Sequence, residues 1–349
     1  LDLFNEVGDL PGAAIHTVTF GSPDNTLVDI DLTRSSRQDL LTGFVIRREI
    51  LDHFLFQRAQ KAADRTIEGF TVREVLKEGE QVCGVSGRLD SGEKQEIRGK
   101  VVLGADGFNS IVARKLGLYS HDPKHWIVAL RCYYKNVKGL TDQIELHYVD
   151  EVIPGYFWIF PLEEGYANIG IGMLHEYIKR ENIDLRVALE NAIHNEAFRD
   201  RFVDSEPTEE PTGWNLPAGS KHRLNHGNGF MLLGDAAGLI DPFTGEGIGN
   251  AFYSAKFAVD AARRAIDSND ISAKVLSEYD RLLWDEIGDE LKVSHRLQQI
   301  GRSRTLLNFV IHKAERSQEV RDTIMGMMAN EVPKKQLTNP LFYLKLLFS

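Results

Sequence analysis

Gly234-Asp235-Ala236-Ala237-Gly238, followed after two residues by Asp241-Pro242-Phe243-Thr244-Gly245-Glu246-Gly247-Ile248-Gly249-Asn250-Ala251, is the stretch that decides how this chain folds. It comes directly after Phe230-Met231-Leu232-Leu233, a short unbroken apolar run of the kind that makes a strand buried on both faces of a doubly wound sheet. Such a strand delivers Asp235 to its carboxyl end, where α/β sheets bind ligands. A short carboxylate there can accept a hydrogen bond from a sugar hydroxyl. Pro242 fixes a turn, and Gly245 and Gly247 remove side chains so that a ligand can touch backbone. Residues 247–266 then read as the clearest helix. Ile248, Phe252, Ala255, Val259, Ala262 and Ile266 step by four, three, four, three and four, which predicts one buried face. The free N–H groups at the start of that helix favour negative charge.

A second joint of the same kind lies some 130 residues upstream. Val101-Val102-Leu103 reads as another strand buried on both faces, and Gly104-Ala105-Asp106-Gly107-Phe108-Asn109-Ser110 leaves its end. Asp106 either caps the next turn or faces a ligand, and Gly107 lets the backbone bend sharply. Between the joints, residues 47–63 carry apolar positions at helical spacing and predict a helix packed on a sheet. Residues 71–76, 81–89 and 95–98 alternate as a small antiparallel meander. Residues 125–175 hold four aromatic-rich strand candidates, read as one inserted antiparallel sheet. A helix over residues 185–198 leads out of it, and beyond Ser272 the chain is charged and helical.

The two joints together resemble those of FAD-dependent oxidoreductases with the p-hydroxybenzoate hydroxylase fold. The resemblance implies FAD held by Asp106, Gly107, Asp235, Pro242, Gly245, Gly247 and Ile248. Asp235 would face the ribitol or ribose, and Gly247 and Ile248 the flavin, whose reduced N1–C2=O2 edge is negatively charged. It also matches Arg48 to a family arginine near the FAD phosphates, with Arg47 as its rival and a plain surface charge as the alternative. Val72 would lie on the adenine side.

A third segment narrows the resemblance. In Tyr156-Phe157-Trp158-Ile159-Phe160-Pro161, the rings of Tyr156, Trp158 and Phe160 share one face of a strand. Gly170 and Gly172 share a face of the next, which predicts a groove free of side chains. Three rings make an apolar wall suited to a hydrocarbon chain, although an ordinary core face has the same pattern. The run is similar to the Tyr-x-Trp-x-Phe-Pro…Gly-x-Gly motif of the geranylgeranyl reductase family, which lines the prenyl site with Tyr156, Trp158, Phe160, Pro161, Gly170 and Gly172 at the matching positions. The implied activity is saturation of double bonds in a geranylgeranyl or other prenyl chain, with electrons from NADPH or a ferredoxin. No residue is singled out as catalytic: Tyr156 fits a proton donor chemically and fits a structural ring equally well. The alternatives are a flavin-dependent monooxygenase or halogenase of the same fold, and a shortened chain that binds lipid without redox chemistry.

The chain departs from the family in having no Gly-x-Gly-x-x-Gly after a strand. The expectation is a Rossmann-like α/β domain (α+β overall) lacking its first βαβ unit, roughly 50 residues, and therefore binding FAD weakly or not at all. Residues 1–120 and 221–270 would form this discontinuous FAD domain, 121–220 an antiparallel-sheet substrate domain, and 271–349 a C-terminal helical region. A net charge of −10 on 349 residues argues against nucleic acid as a partner. Two cysteines make no disulfide framework, which suits a reducing cytoplasm, and no Cys or His pair has zinc-ligand spacing, so no metal is expected. Apolar residues 341–348 around Lys345 read either as a peripheral membrane contact or as a helix packed on the substrate domain.

Overall fold

The computed structural model describes residues 3–34 and 43–328. In chain order the elements begin with α1 (Phe4–Gly8), β1 (Gly12–Ile15), β2 (Thr17–Gly21), β3 (Leu27–Asp31), β4 (Gly43–Ile46) and α2 (Arg48–Ala62). Next come β5 (Phe70–Glu78), β6 (Gln81–Leu89), β7 (Lys94–Arg98), β8 (Val102–Gly104) and α3 (Ile111–Lys115). The middle of the chain holds β9 (Trp126–Lys135), β10 (Gln143–His147), β11 (Tyr156–Pro161), β12 (Ala167–Leu174), α4 (His175–Glu181), α5 (Leu185–His194), α6 (Arg199–Phe202), β13 (Glu206–Pro207) and β14 (Thr212–Pro217). β15 (His226–Gly227), β16 (Phe230–Leu232), α7 (Ile248–Asp267), α8 (Ala273–Ile300), α9 (Arg304–Arg316) and α10 (Gln318–Met328) complete it. The mixed α/β class matches the sequence expectation. Residues 341–348 lie outside the described residues. Among the described residues, no helix is long and apolar enough to cross a membrane.

Contacts divide the chain into two compact units, Leu1–Asp64 with Val128–Trp214 and Gln298–Ser349, and Arg65–Ile127 with Asn215–Leu297. These lines fall elsewhere than the sequence boundaries. Residues 1–64 join the aromatic-rich strands because β2 pairs with β10.

The first unit is built on an eight-stranded sheet in the order β13-β9-β12-β11-β10-β2-β3, with β14 also on β9. It is not the purely antiparallel sheet expected from residues 125–175. β10–β11 and β11–β12 are antiparallel, but β10 runs parallel to β2, with Gln143 opposite Thr17 and His147 opposite Gly21. Period-two alternation sorts the side chains of β11 and β12 to two faces. Phe157, Ile159, Ile169 and Ile171 point to one of them and are fully buried against Ala188, Leu189, Ala192 and Ile193 of α5. The helix expected over residues 185–198 breaks at Asn195, whose side chain accepts the Ala197 N–H at 3.0 Å and so replaces a helical bond. α2 forms where expected but buries no residue, because its apolar and charged residues are spread around the cylinder.

The second unit contains the expected meander β5–β6–β7 and a three-stranded sheet β15–β16–β8. β16 and β8 run parallel, with Leu232 opposite Gly104. β16 is buried throughout, as expected. β8 is not: it lies at the sheet edge and Leu103 is 40% exposed.

α7 buries a neighbouring face, not the expected one. Ile248, Phe252, Val259 and Ile266 are 43%, 42%, 48% and 38% exposed, while Ser254, Ala258, Ala261 and Ala265 are buried. Ala255 and Ala262 are half-buried against the same core. The reason is distance of approach. The small-residue seam lets α7 come close to a core formed by Leu232, Leu276, Tyr279 and Leu283, where larger side chains would not fit. Tyr279, fully buried, donates its hydroxyl to the Leu232 carbonyl at 2.6 Å and ties α8 to β16.

Candidate functional site

Both glycine-bearing joints leave the same sheet at the same end. Because Leu232 pairs with Gly104, and the Leu233 N–H donates to the Gly104 carbonyl at 2.9 Å, the loops carrying Asp106 and Asp235 start side by side. That is the carboxyl edge of a parallel pair, the place where such sheets bind ligands.

Gly234–Ala237 forms a single 3-10 turn that ends at Gly238, in the left-handed region at φ +70°. Three side chains that sequence reasoning missed hold this loop. Ser254 on the buried seam of α7 accepts the Gly234 N–H at 3.0 Å. Asn250 donates to the Leu239 carbonyl at 2.8 Å. Arg223 donates through Nη1 to the carbonyls of Ala218 at 2.9 Å and Gly238 at 3.1 Å. Its guanidinium packs so tightly on Gly238 that a Cβ there would collide with it. Burial lowers the Arg223 pKa to about 10. The only local signal for Arg223 was a charge a few residues before an apolar strand, which says nothing about its partners.

The second half of the motif is an Asx turn. Asp241 accepts the N–H groups of Phe243 and Thr244 at 2.9 and 2.8 Å and the Thr244 hydroxyl at 3.0 Å. Pro242 is buried within it, and Gly245 adopts φ +74°, which only glycine tolerates easily. Gly247 is the N-cap of α7. A Cβ on Gly247 would collide with Ile240 and lie 3.6 Å from an Asp235 carboxylate oxygen. The structure thus brings Asp235, Gly247 and the start of α7 to one place. Ile248, the first residue of α7, is exposed there. An acidic acceptor, side-chain-free backbone and a helix N-terminus fit a ligand with sugar hydroxyls and an electron-rich ring edge, as FAD has.

Asp106 has the capping role as its observed geometry. One carboxylate oxygen accepts the N–H groups of Ile111 and Val112 at 2.7 and 3.1 Å, and the other the Ser110 hydroxyl at 2.6 Å. Gly107, at φ +75°, has open space where a Cβ would be. Val72 lies apart from these loops in sequence and sheet, half-buried in β5 opposite Gly87.

Arg48 belongs to the first unit. It is an exposed residue paired to Asp52, one turn on, at 2.9 and 3.0 Å, and its N–H donates to the Tyr133 hydroxyl at 3.4 Å. Its rival Arg47 is committed elsewhere. It bonds Glu163 at 2.5 Å, and its guanidinium lies 4.3 Å from the Tyr166 ring centroid and 5.4 Å from that of Tyr133. Of the two, Arg48 is the more exposed.

The first unit also carries the aromatic row. Tyr156, Trp158 and Phe160 share the β11 face opposite the α5 core, with ring centroids 5.9 and 6.0 Å apart, and Tyr148 extends the row at 6.4 Å from Tyr156. Trp158 is buried, Tyr156 and Phe160 half-buried, and Pro161 ends the strand buried. Trp158 donates its indole N–H to Asn168 at 3.1 Å. Register places Tyr156 opposite Gly172 and Trp158 opposite Gly170. The expected open groove is corrected here. The Trp158 indole covers Gly170, so that glycine makes room for the ring rather than for a ligand. The row itself is a run of neighbouring rings whose middle member, Trp158, is buried.

The buried charged cluster of this unit lies on β10. Glu145 accepts both Nη atoms of Arg201, at 2.7 and 2.8 Å, and bonds His147 at 2.9 Å. Burial opposes its ionisation, but these partners outweigh it and hold its carboxyl below the ordinary value. Among the described residues, no group of His, Cys, Asp and Glu is arranged to hold a metal.

An FAD binding domain family matches residues 43–255 of this chain. The digeranylgeranylglycerophospholipid reductase of Thermoplasma volcanium is 30% identical over 306 residues, which cover 83% of this chain and 69% of that one. A geranylgeranyl bacteriochlorophyll reductase-like protein from Thermoplasma acidophilum has the same fold, with a TM-score of 0.81 at 24% identity over 93% of this chain and 84% of the other. So does a triple mutant of a flavin-dependent brominase, with a TM-score of 0.72 at 18% identity over 93% of this chain and 79% of the other.

Proposed function

The chain belongs to the geranylgeranyl reductase family of FAD-dependent oxidoreductases, and from that premise we propose that it reduces carbon–carbon double bonds in the prenyl chains of a lipid. The observation that carries this reading is the meeting of Asp235 and Gly247 at the N-terminus of α7, on the same sheet end as the Asp106 loop. When bound, FAD supplies the hydride that an alkene carbon accepts.

The chain's own residues have separate tasks in this reading. Asp235 accepts a ribitol or ribose hydroxyl. The N–H groups at the start of α7 meet the electron-rich edge of the ring and favour its reduced, more negative form. Gly245, Gly247 and Gly107 let backbone approach the cofactor, Pro242 and Asp241 hold the loop shape, and Ile248 supplies an apolar contact. Arg48 offers charge to the phosphates, with Val72 on the adenine side. In the other unit, Tyr156, Trp158 and Phe160 give the prenyl chain an apolar wall, which excludes water and limits its orientations. Tyr156 is the candidate to deliver a proton to the second alkene carbon. NADPH or a ferredoxin is the proposed source of electrons.

The test is anaerobic. The chain is incubated with FAD, dithionite and a digeranylgeranylglycerol phospholipid, and product masses are read for added pairs of hydrogen. Mass gains in steps of two hydrogens are expected. Oxygen consumption coupled to a hydroxylated or halogenated product, with no hydrogenated lipid under anaerobic conditions, would instead make it a monooxygenase or halogenase.

A further inference from the structure

α7 has 20 residues and no acidic residue in its first turn, and its N-cap, Gly247, has no side chain to accept the N–H groups that begin it. One residue earlier, Glu246 fills that need. Its carboxylate accepts the Gly249 N–H at 2.6 Å and is further stabilised by the N–H of Ile248. This is the end of the helix to which the functional reading assigns the electron-rich edge of the flavin.

Three carboxylates, those of Asp235, Asp241 and Glu246, crowd this one end of the helix. Asp241 is spent on its Asx turn. Glu246 is exposed as a residue, yet desolvation of its carboxyl and the neighbouring charges of Asp241 and Asp235 push its pKa up, against the pull of the Gly249 and Ile248 N–H groups. Its backbone is anchored, since its N–H donates to the Thr244 hydroxyl at 3.2 Å and its carbonyl accepts the Asp241 N–H at 2.7 Å. Among the described residues, the hydrogen bonds that hold its side chain come from the helix end.

We propose that the Glu246 carboxylate is a built-in occupant of the anion seat at the N-terminus of α7, and that FAD takes the seat by displacing it. The inference rests on the proposed FAD site. Glu246 therefore opposes cofactor binding, unlike the residues that hold the cofactor, and it sets how tightly the ring edge is drawn to the helix.

The experiment is a titration of FAD into the wild-type chain and into Glu246→Ala and Glu246→Gln, followed by quenching of flavin and tryptophan fluorescence. Glu246→Ala is expected to bind FAD about two- to fivefold more tightly, the order of one charge–helix-end interaction. Glu246→Gln keeps an acceptor for the Gly249 N–H without the charge, and is expected to fall between the two. It also covers the case in which the alanine variant fails to fold. Equal or weaker binding by the variants, with FAD binding intact in the wild type, would overturn the inference. Failure of the wild type itself to bind FAD would overturn the functional reading, and this inference with it.

Discussion

Trp158 and Gly170 face each other across β11 and β12 so closely that a Cβ at position 170 would collide with the indole and lie 2.5 Å from the Leu130 carbonyl oxygen. The absence of a side chain on one strand is what allows the central ring of the aromatic row to lie where it does. Gly170→Ala should therefore push the indole off its position and cost about 1–3 kcal/mol of stability, as overpacking typically does. Urea unfolding measures this; a midpoint equal to that of the wild type would contradict the packing described.

Trp158→Phe keeps an aromatic ring in the row but loses the bond to Asn168. If the row lines the prenyl chain, the KM for prenyl lipid should rise by about tenfold while FAD binding stays unchanged, because about 1.4 kcal/mol of apolar contact and orientation is lost. Steady-state kinetics and FAD titration on the same preparation separate the two effects.

Glu145 is expected to make stability depend on pH in the acid range. Its carboxyl is held below the ordinary 4.5, so the native state binds fewer protons than the unfolded chain. Its contribution is fully present above about pH 4.5 and is lost as the pH falls through the depressed native value. Glu145→Gln should flatten that part of the stability profile. Arg201→Met leaves the carboxylate buried without its cation and should cost about 3 kcal/mol or more at neutral pH. Chemical denaturation across an acid pH series reads both.

The two faces of α7 should respond in opposite ways to substitution. Ala258→Leu forces a large side chain into the fully buried seam and should destabilise by about 1–3 kcal/mol or more. Val259→Ala, on the exposed face, should stay within about 0.5 kcal/mol of wild type. Thermal melts that reverse this order would restore the face expected from hydropathy.

Arg223→Met should lower stability by about 2 kcal/mol, because the carbonyls of Ala218 and Gly238 lose a buried donor. Slackening the Gly234–Ala237 turn should also weaken FAD binding by about tenfold, roughly 1.4 kcal/mol. A variant that melts early yet binds FAD normally would confine Arg223 to a packing role.

Local rules carried the sequence reading a long way. The turn at Pro242, the Asp106 cap and the alternation of Phe157 and Ile159 against Trp158 and Phe160 all depend on residues a few positions apart, so spacing alone reveals them, whereas the Asx turn of Asp241 and the left-handed backbone of Gly245 appeared only in the structure. Hydropathy misread α7, because its larger apolar residues mark a face that this chain leaves exposed, while close approach selected the alanine seam. It missed β2 and β3 in the aromatic sheet, because turn formers hid them and a parallel partner 126 residues away leaves no local trace.

By itself, the amino-acid sequence determined the two strand–turn joints and the aromatic strand, since each follows from short-range sterics and side-chain chemistry, while the cofactor class came from the resemblance of those joints to FAD-dependent oxidoreductases. Only the tertiary structure decided that Arg47 rather than Arg48 is locked under two rings, that Trp158 fills the space over Gly170, that Arg223 clamps the Asp235 loop, and that Glu246 occupies the start of α7. Partners such as Arg47 and Tyr166, or Arg223 and Gly238, are chosen by where folded backbone passes, and the energy of a buried hydrogen bond or a close packing contact is defined only once both groups have been brought together.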